Sequence, residues 1–182
     1  MTRLDAGIDR VLDELDLRSV HRSPVLDYLG RLLDEFRELD EGAVATYIPE
    51  LGRADPDWFG ICVVTADGHV YEVGDTALEF TIQSISKPFV FGMALEDQGR
   101  DAVLERVGVE PSGNPFNAIL VDDRNRPFNP MVNAGAIVAT GLIDAKGDDD
   151  RMERIIDSFS QYAGRRLELD DTVYRSESAG MR

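Results

Sequence analysis

Residues 83–87 read Gln83-Ser84-Ile85-Ser86-Lys87 and place a serine and a lysine three positions apart. On a helix, side chains at i and i+3 project from the same face. A lysine amine can act as a base once it is desolvated, whereas the guanidinium of arginine keeps its proton. The spacing of Ser84 and Lys87 is therefore the geometry that a serine nucleophile needs from an adjacent base.

The flanking residues predict that Ser84 lies at a strand-to-helix junction. Residues 80–82, Phe-Thr-Ile, are typical of a strand end. Pro88 is tolerated only near the start of a helix, so the helix begins close to Ser84. It continues through apolar residues to Gly99, which suits a helix C-terminus. A hydroxyl at a helix N-terminus lies beside free backbone N–H groups that can bind a developing oxyanion.

The composition indicates one domain of ordinary size. The chain has 182 residues, of which 43% are hydrophobic, enough to form a core. The longest apolar run, residues 89–95, is far shorter than the roughly 20 residues that cross a bilayer. Residues 1–5 contain no apolar signal core. Cys62 is the only cysteine, so no intrachain disulfide can form and a cytoplasmic location is expected.

Charge and motif content exclude several classes of partner. The formal net charge of −16 argues against nucleic acid and against anionic membrane surfaces. The single cysteine and the isolated His21 and His69 predict no zinc site. The acidic run at residues 148–150 is interpreted as the solvated start of a helix, where negative charge is favourable. Phosphate-loop and dinucleotide-binding patterns are absent, so no cofactor is expected.

We divide the chain into an N-terminal helical segment, residues 1–43, and a catalytic portion, residues 44–182. The first segment carries two amphipathic stripes, and its second helix begins at Ser23-Pro24. In the second, residues 61–65 and 70–73 flank Ala66-Asp67-Gly68, a strong hairpin signal. Further helices are predicted near residues 101–107, over residues 133–142 and from Asp148 onward.

Several blocks of the sequence resemble the serine-dependent glutaminases, in the order that the family has them. The blocks are residues 47–51 (YIPEL), 83–88 (QSISKP), 110–113 (EPSG) with Asn117, 129–137 (NPMVNAGAI) and 173–177 (VYRSE). The resemblance implies an α+β fold like that of the β-lactamases and penicillin-binding proteins, with an antiparallel sheet flanked by helices. Ser-x-x-Lys is also a signature of that group.

The resemblance also implies an activity, the hydrolysis of L-glutamine to L-glutamate and ammonia. Ser84 would attack the side-chain amide and form a glutamyl-enzyme, with Lys87 as general base. The glutamine contacts that the resemblance implies are Tyr47, Gln83, Ser84, Asn133 and Glu177. A carboxylate such as Glu177 suits the α-amino group, and the other groups can donate to the carboxylate and the amide. Family members also commonly form homo-oligomers.

The chemistry sets one condition. Lys87 has to be neutral to act as a base, so burial or a nearby cation has to lower its pKa. We therefore predict that Lys87 lies in a dry pocket with no carboxylate in contact.

Two interpretations from different classes remain open. Family members are longer, and residues 180–182 end this chain inside a family motif, so the C-terminal part of the fold would be missing. The chain is either a glutaminase, or an incomplete fragment that at most binds glutamine weakly or associates with partners. A β-lactam acylase is disfavoured because the Lys-Thr-Gly and Ser-Asp-Asn elements are absent.

The acidic composition predicts a salt-dependent stability. An acidic, lysine-poor surface fits a salt-adapted protein, or a GC-rich genome that codes arginine in place of lysine. Because self-repulsion at a net charge of −16 weakens the fold at low ionic strength, we expect the melting temperature to rise with KCl. Thermal unfolding over a KCl series measures this, and a flat or falling curve contradicts salt adaptation.

Overall fold

The computed structural model describes residues 23–180, and the chain divides into two compact units. The first comprises Met1–Glu79 and Thr172–Arg182, and the second is Phe80–Asp171. The division at residue 43 stays a prediction. The first of the two helices predicted within residues 1–43, as well as His21, lies outside the described residues.

The first unit contains the predicted second helix and the predicted hairpin. Helix α1, Pro24–Phe36, begins directly after Ser23 with proline in its first turn, and it buries Leu29 and Leu33. Strands β1, Gly60–Val64, and β2, Val70–Gly74, pair antiparallel. Helix α1 packs against both strands and partly covers one face of the hairpin, at Ile61, Tyr71 and Val73. Both predictions are confirmed.

The second unit is helical. It contains α2, Ser86–Gln98; α3, Arg100–Leu104; α4, Asn133–Gly141; and α5, Asp148–Ala163. A final helix, α6, spans Asp171–Gly180 and belongs, from Thr172 onward, to the first unit. Gly99 ends α2 as predicted, with a φ of +77° and its N–H donating to the Leu95 carbonyl at 3.0 Å. The predicted helices over residues 101–107 and 133–142 and from Asp148 are confirmed.

The strand predicted at residues 80–82 is wrong. These residues have no regular secondary structure, and Phe80 is 79% exposed. A strand needs backbone hydrogen bonds to a neighbouring strand, and the sheet found among residues 23–180 consists of β1 and β2. Ser84 instead lies in a 3₁₀ turn, Gln83–Ile85, that leads directly into α2.

Apolar side chains from three helices form the core of the second unit. Val90 and Met93 come from α2, Ala139 from α4 and Phe159 from α5, with Ile143 between the last two helices. Fully burying one of the larger side chains, Val, Ile, Met or Phe, contributes about 1.5–3 kcal/mol relative to exposure. This packing fixes α2 against α4, and it therefore fixes the residues at the N-terminal ends of both helices.

A charged network holds the opposite end of α2. Asp97 accepts two hydrogen bonds from the Arg154 guanidinium, at 2.8 and 3.0 Å, and one from the Asp144 N–H at 2.8 Å. The hydrogen bonds from Arg154 are the main reason that the pKa of Asp97 lies below its ordinary value. Since Asp97 is on α2 and Arg154 on α5, the network ties the two helices together.

No helix within residues 23–180 has both the length and the apolar character needed to cross a membrane.

We expect Asp97→Asn to lower the free energy of unfolding by roughly 1–3 kcal/mol at neutral pH, because charged hydrogen bonds are lost. The pKa of Asp97 is depressed in the folded state, so this stabilisation is present above the ordinary Asp pKa. It is lost as the pH falls through the folded pKa. Urea unfolding at neutral and at acidic pH measures the free energy of unfolding of wild type and variant. The difference between the two free energies should be smaller at acidic pH.

Asp101→Asn is the matched control, because that carboxylate is 99% exposed and lies 3.7 Å from Arg100. It should change the free energy of unfolding little. Equal losses in the two variants, or a difference that does not depend on pH, would contradict the assignment of Asp97.

Candidate active site

Lys87 lies in the first turn of α2, and two oxygen atoms accept hydrogen bonds from its amine. Its Nζ donates to Asn133 Oδ1 at 2.7 Å and to the Met131 carbonyl at 3.0 Å. The ring of Phe116 has its centroid 5.6 Å from Nζ. Asn133 is the first residue of α4, so the packing of α2 on α4 brings the lysine to its acceptors.

The surroundings of Lys87 favour the neutral amine only in part. Burial lowers the pKa of Lys87 below its ordinary value. Among residues 23–180, none of the ion pairs includes Lys87. The predicted dry pocket is incomplete, because Lys87 is half-buried rather than enclosed.

Ser84 is exposed, and no hydrogen bond joins it to Lys87 in this structure. Within the described part of the chain, neither its hydroxyl nor its backbone N–H has a hydrogen-bond partner. Both groups are therefore available to a ligand. The i, i+3 spacing puts Ser84 in the 3₁₀ turn and Lys87 in the α-helix, so the pair spans a junction and does not share one regular helix.

The residue before Ser84 has a strained backbone. Gln83 has a φ of +41°, in a region that favours glycine and costs another residue roughly 1–3 kcal/mol. The Ser86 hydroxyl donates to the Gln83 carbonyl at 2.6 Å, which supports this turn. Sequence reasoning missed both features. A glutamine gives no sign of positive φ, but a second serine at a helix start could have indicated a hydroxyl bonded to the turn.

Asn129 organises the segment before α4. Its Oδ1 accepts from the N–H groups of Met131 at 3.0 Å and Val132 at 3.2 Å, and its Nδ2 donates to the Glu110 carbonyl at 2.9 Å. These bonds fix the backbone that presents the Met131 carbonyl to Lys87. Sequence reasoning did not assign Asn129 a role, although asparagine before a helix commonly bonds the backbone two residues on.

Gly135 allows the start of α4 to contact this segment. A Cβ at this position would lie 1.9 Å from the Asn129 carbonyl oxygen and 2.7 Å from its carbon. Only a residue without a side chain fits so close to backbone. The glycine in the block at residues 129–137 thus has a steric reason.

The other predicted site residues, Tyr47 and Glu177, lie in the first unit and contact each other. The Tyr47 hydroxyl donates to Glu177 Oε1 at 3.0 Å. Partial burial, this hydrogen bond and the charge of Glu177 raise the pKa of the Tyr47 phenol. Within residues 23–180, no cluster of three or more His, Cys, Asp or Glu side chains could hold a metal ion.

The model of the family described as Glutaminase matches residues 42–182. The chain belongs to the glutaminase family. The glutaminase of Microcystis aeruginosa is 52% identical over 157 residues, which are 86% of this chain and 46% of that protein. Glutaminase 1 of Bradyrhizobium diazoefficiens is 56% identical over 158 residues, which are 86% of this chain and 26% of that protein.

Solved glutaminase structures share the fold. Mglu in its L-glutamate binding form, in the presence of 4.3 M NaCl, matches with a TM-score of 0.78 and 43% identity, over 87% of this chain and 36% of that one. A probable glutaminase from Bacillus subtilis, complexed with 6-diazo-5-oxo-L-norleucine, matches with a TM-score of 0.75 and 32% identity, over 89% of this chain and 49% of that one. The α+β, β-lactamase-like fold class is confirmed. The chain spans less than half the length of each of these glutaminases.

We expect Gly135→Ala to destabilise the fold and to displace the acceptors of Lys87, since its methyl group would meet backbone at 1.9 Å. Gly141→Ala, at the last residue of the same helix, has nothing within 4 Å of the added carbon and is the control. It should be neutral or stabilise by up to about 1 kcal/mol. Urea unfolding of both variants measures the difference. A Gly135→Ala variant as stable as Gly141→Ala would contradict the close approach.

Proposed function

We propose that the chain carries the nucleophile and the base of a glutaminase that hydrolyses L-glutamine to L-glutamate and ammonia. The observation that carries this proposal is the environment of Lys87. Its amine is partly desolvated, it is bonded to neutral acceptors, and it lies three residues after an exposed serine with a free hydroxyl.

In the first half of the reaction, Ser84 Oγ attacks the carbon of the glutamine side-chain amide while neutral Lys87 takes the hydroxyl proton. The resulting oxyanion accepts a hydrogen bond from the free Ser84 N–H. The intermediate collapses by breaking the C–N bond, and Lys87 returns the proton to the departing nitrogen. Ammonia leaves and a glutamyl ester remains on Ser84. Lys87 is then neutral again and can activate the water that releases glutamate.

The absence of a Ser84–Lys87 hydrogen bond in this structure is compatible with that mechanism. Catalytic hydrogen bonds are often long or poorly aligned without substrate and tighten once it binds. The exposed Ser84 side chain has no hydrogen bond among the described residues, so its hydroxyl is free to rotate between staggered positions.

The remaining contacts follow from charge and hydrogen-bonding capacity. Glu177 is the carboxylate for the substrate's α-amino group, and Tyr47 beside it supplies a hydroxyl. Asn133 keeps its amide N–H groups for an acceptor on the substrate, because its oxygen is bonded to Lys87. Gln83, next to the nucleophile, is the remaining proposed contact. The glutamate-bound form of Mglu and the 6-diazo-5-oxo-L-norleucine complex of the Bacillus protein support an amino-acid ligand.

A second candidate function is an incomplete glutaminase that binds glutamine weakly or associates with partners. Two observations favour it: the chain spans 46% of the Microcystis glutaminase, and large apolar side chains are exposed. Phe80 is 79% and Ile119 86% exposed, more than a folded interior would leave. A cytoplasmic homo-oligomer and a separate N-terminal helical segment, residues 1–43, also remain proposals. The exposed thiol of Cys62 fits a reducing compartment.

The test is glutamate release from L-glutamine by the purified chain, beside Ser84→Ala and Lys87→Met. Loss of the nucleophile or of the base should lower kcat by about 10³-fold or more, because such groups act as a unit. Ser158→Ala, on α5, is the matched serine control and should leave the rate unchanged. Activity that survives in Ser84→Ala would contradict the assignment. No release by any variant, wild type included, would favour the incomplete glutaminase.

A further inference from the structure

We propose that Asn133 is a positioning residue for Lys87, in addition to its proposed contact with glutamine. The Asn133 amide oxygen and the Met131 carbonyl engage two positions on Nζ and leave one open. This inference rests on the proposed role of Lys87 as the base, and it explains how the amine is aimed.

The geometry follows from the bonding capacity of an amine. A neutral lysine amine has two N–H groups and one lone pair, and a charged one has three N–H groups. Donation to Asn133 Oδ1 at 2.7 Å and to the Met131 carbonyl at 3.0 Å uses two N–H groups in either state. The remaining position is the lone pair of the neutral amine, so both acceptors together fix the direction in which a proton is taken up.

The identity of residue 133 matters because the acceptor is uncharged. Asparagine and aspartate have nearly the same shape, but a carboxylate 2.7 Å from Nζ would hold the proton on the amine. Among residues 23–180, the groups bonded to the Lys87 amine or stacked near it are Asn133 from α4, the Met131 carbonyl from the preceding segment and the Phe116 ring. None of these groups titrates near neutral pH.

Both acceptors are themselves held in place. Asn129 Oδ1 accepts from the Met131 N–H, and the Asn133 N–H donates to the Phe116 carbonyl at 2.8 Å. Gly135 permits the close approach of α4 to Asn129. The backbone that carries both acceptors is therefore fixed by bonds that do not involve Lys87.

The composition allows a direct measurement, because Lys87 and Lys146 are the only lysines in the chain. Protein labelled with ¹³C at the lysine ε-carbon gives two resonances, and Lys146→Arg assigns them. We expect Asn133→Asp to raise the titration midpoint of the Lys87 resonance by about one pH unit or more. The Lys146 resonance should keep its midpoint.

Asn125→Asp is the matched control, since it adds the same charge in the same unit at an exposed position without contact to Lys87. Asn125 has a φ of +59°, which aspartate also tolerates. An unshifted Lys87 midpoint in Asn133→Asp, or an equal shift in Asn125→Asp, overturns the proposal. Circular dichroism of each variant verifies that it folds.

Relaxation of the ε-carbon supplies a readout that needs no charged variant. In the wild type the Lys87 methylene should be more ordered than that of the exposed Lys146, and Asn133→Ala should remove the difference. Equal order in the wild type overturns the proposal, even if Asn133→Asp does not fold.

The kinetic arm separates this inference from the proposed function. Where the chain releases glutamate, the acidic limb of the pH profile of kcat/KM should move to higher pH in Asn133→Asp, together with the titration midpoint of Lys87. Loss of a substrate contact alone would raise KM and leave the limb in place, which contradicts positioning. If no glutamate is released but the Lys87 midpoint shifts in Asn133→Asp, the result contradicts the proposed function and supports the contact between Asn133 and Lys87. Release with an unshifted midpoint contradicts only the positioning role.

Discussion

The packing of α2 on α4 is the constraint on which the rest of the second unit depends. Val90 and Met93 of α2 lie against Ala139 of α4, and this apolar contact places the N-terminal ends of both helices together. Lys87 and Asn133 are at those ends. A lysine amine can be desolvated only where neighbouring atoms replace water, so the apolar core is a precondition for the chemistry of the amine.

Sequence reasoning succeeded where local signals and the fold agree. Ser23-Pro24 began a helix, Asp67-Gly68 marked the hairpin, and Gly99 ended α2, because capping and turn residues act over a few neighbours. It failed at residues 80–82. Strand formation is decided by a hydrogen-bonding neighbour that the local sequence does not supply, and apolar composition alone favoured a strand there.

The candidate site was likewise predicted in part from the sequence. Ser84, Lys87 and Asn133 were found from their residue types and from the family blocks that contain them. The bond between Lys87 and Asn133 was not foreseen, because 46 positions separate them in sequence. The backbone of Gln83 and the carbonyl of Met131 were also missed, because every residue has a backbone and nothing in the sequence shows which carbonyl will be used.

The network around Asp97 makes α2 a spacer that is anchored at both ends. Asp97 follows Lys87 by ten residues, which at about 1.5 Å per residue is about 15 Å of helix. A slip of one residue would turn Lys87 by about 100° and move it away from its acceptors. The bonds from Arg154 and Asp144 oppose that slip from the far end. An ion pair remote from the serine thus sets the helical register in which the amine meets its acceptors.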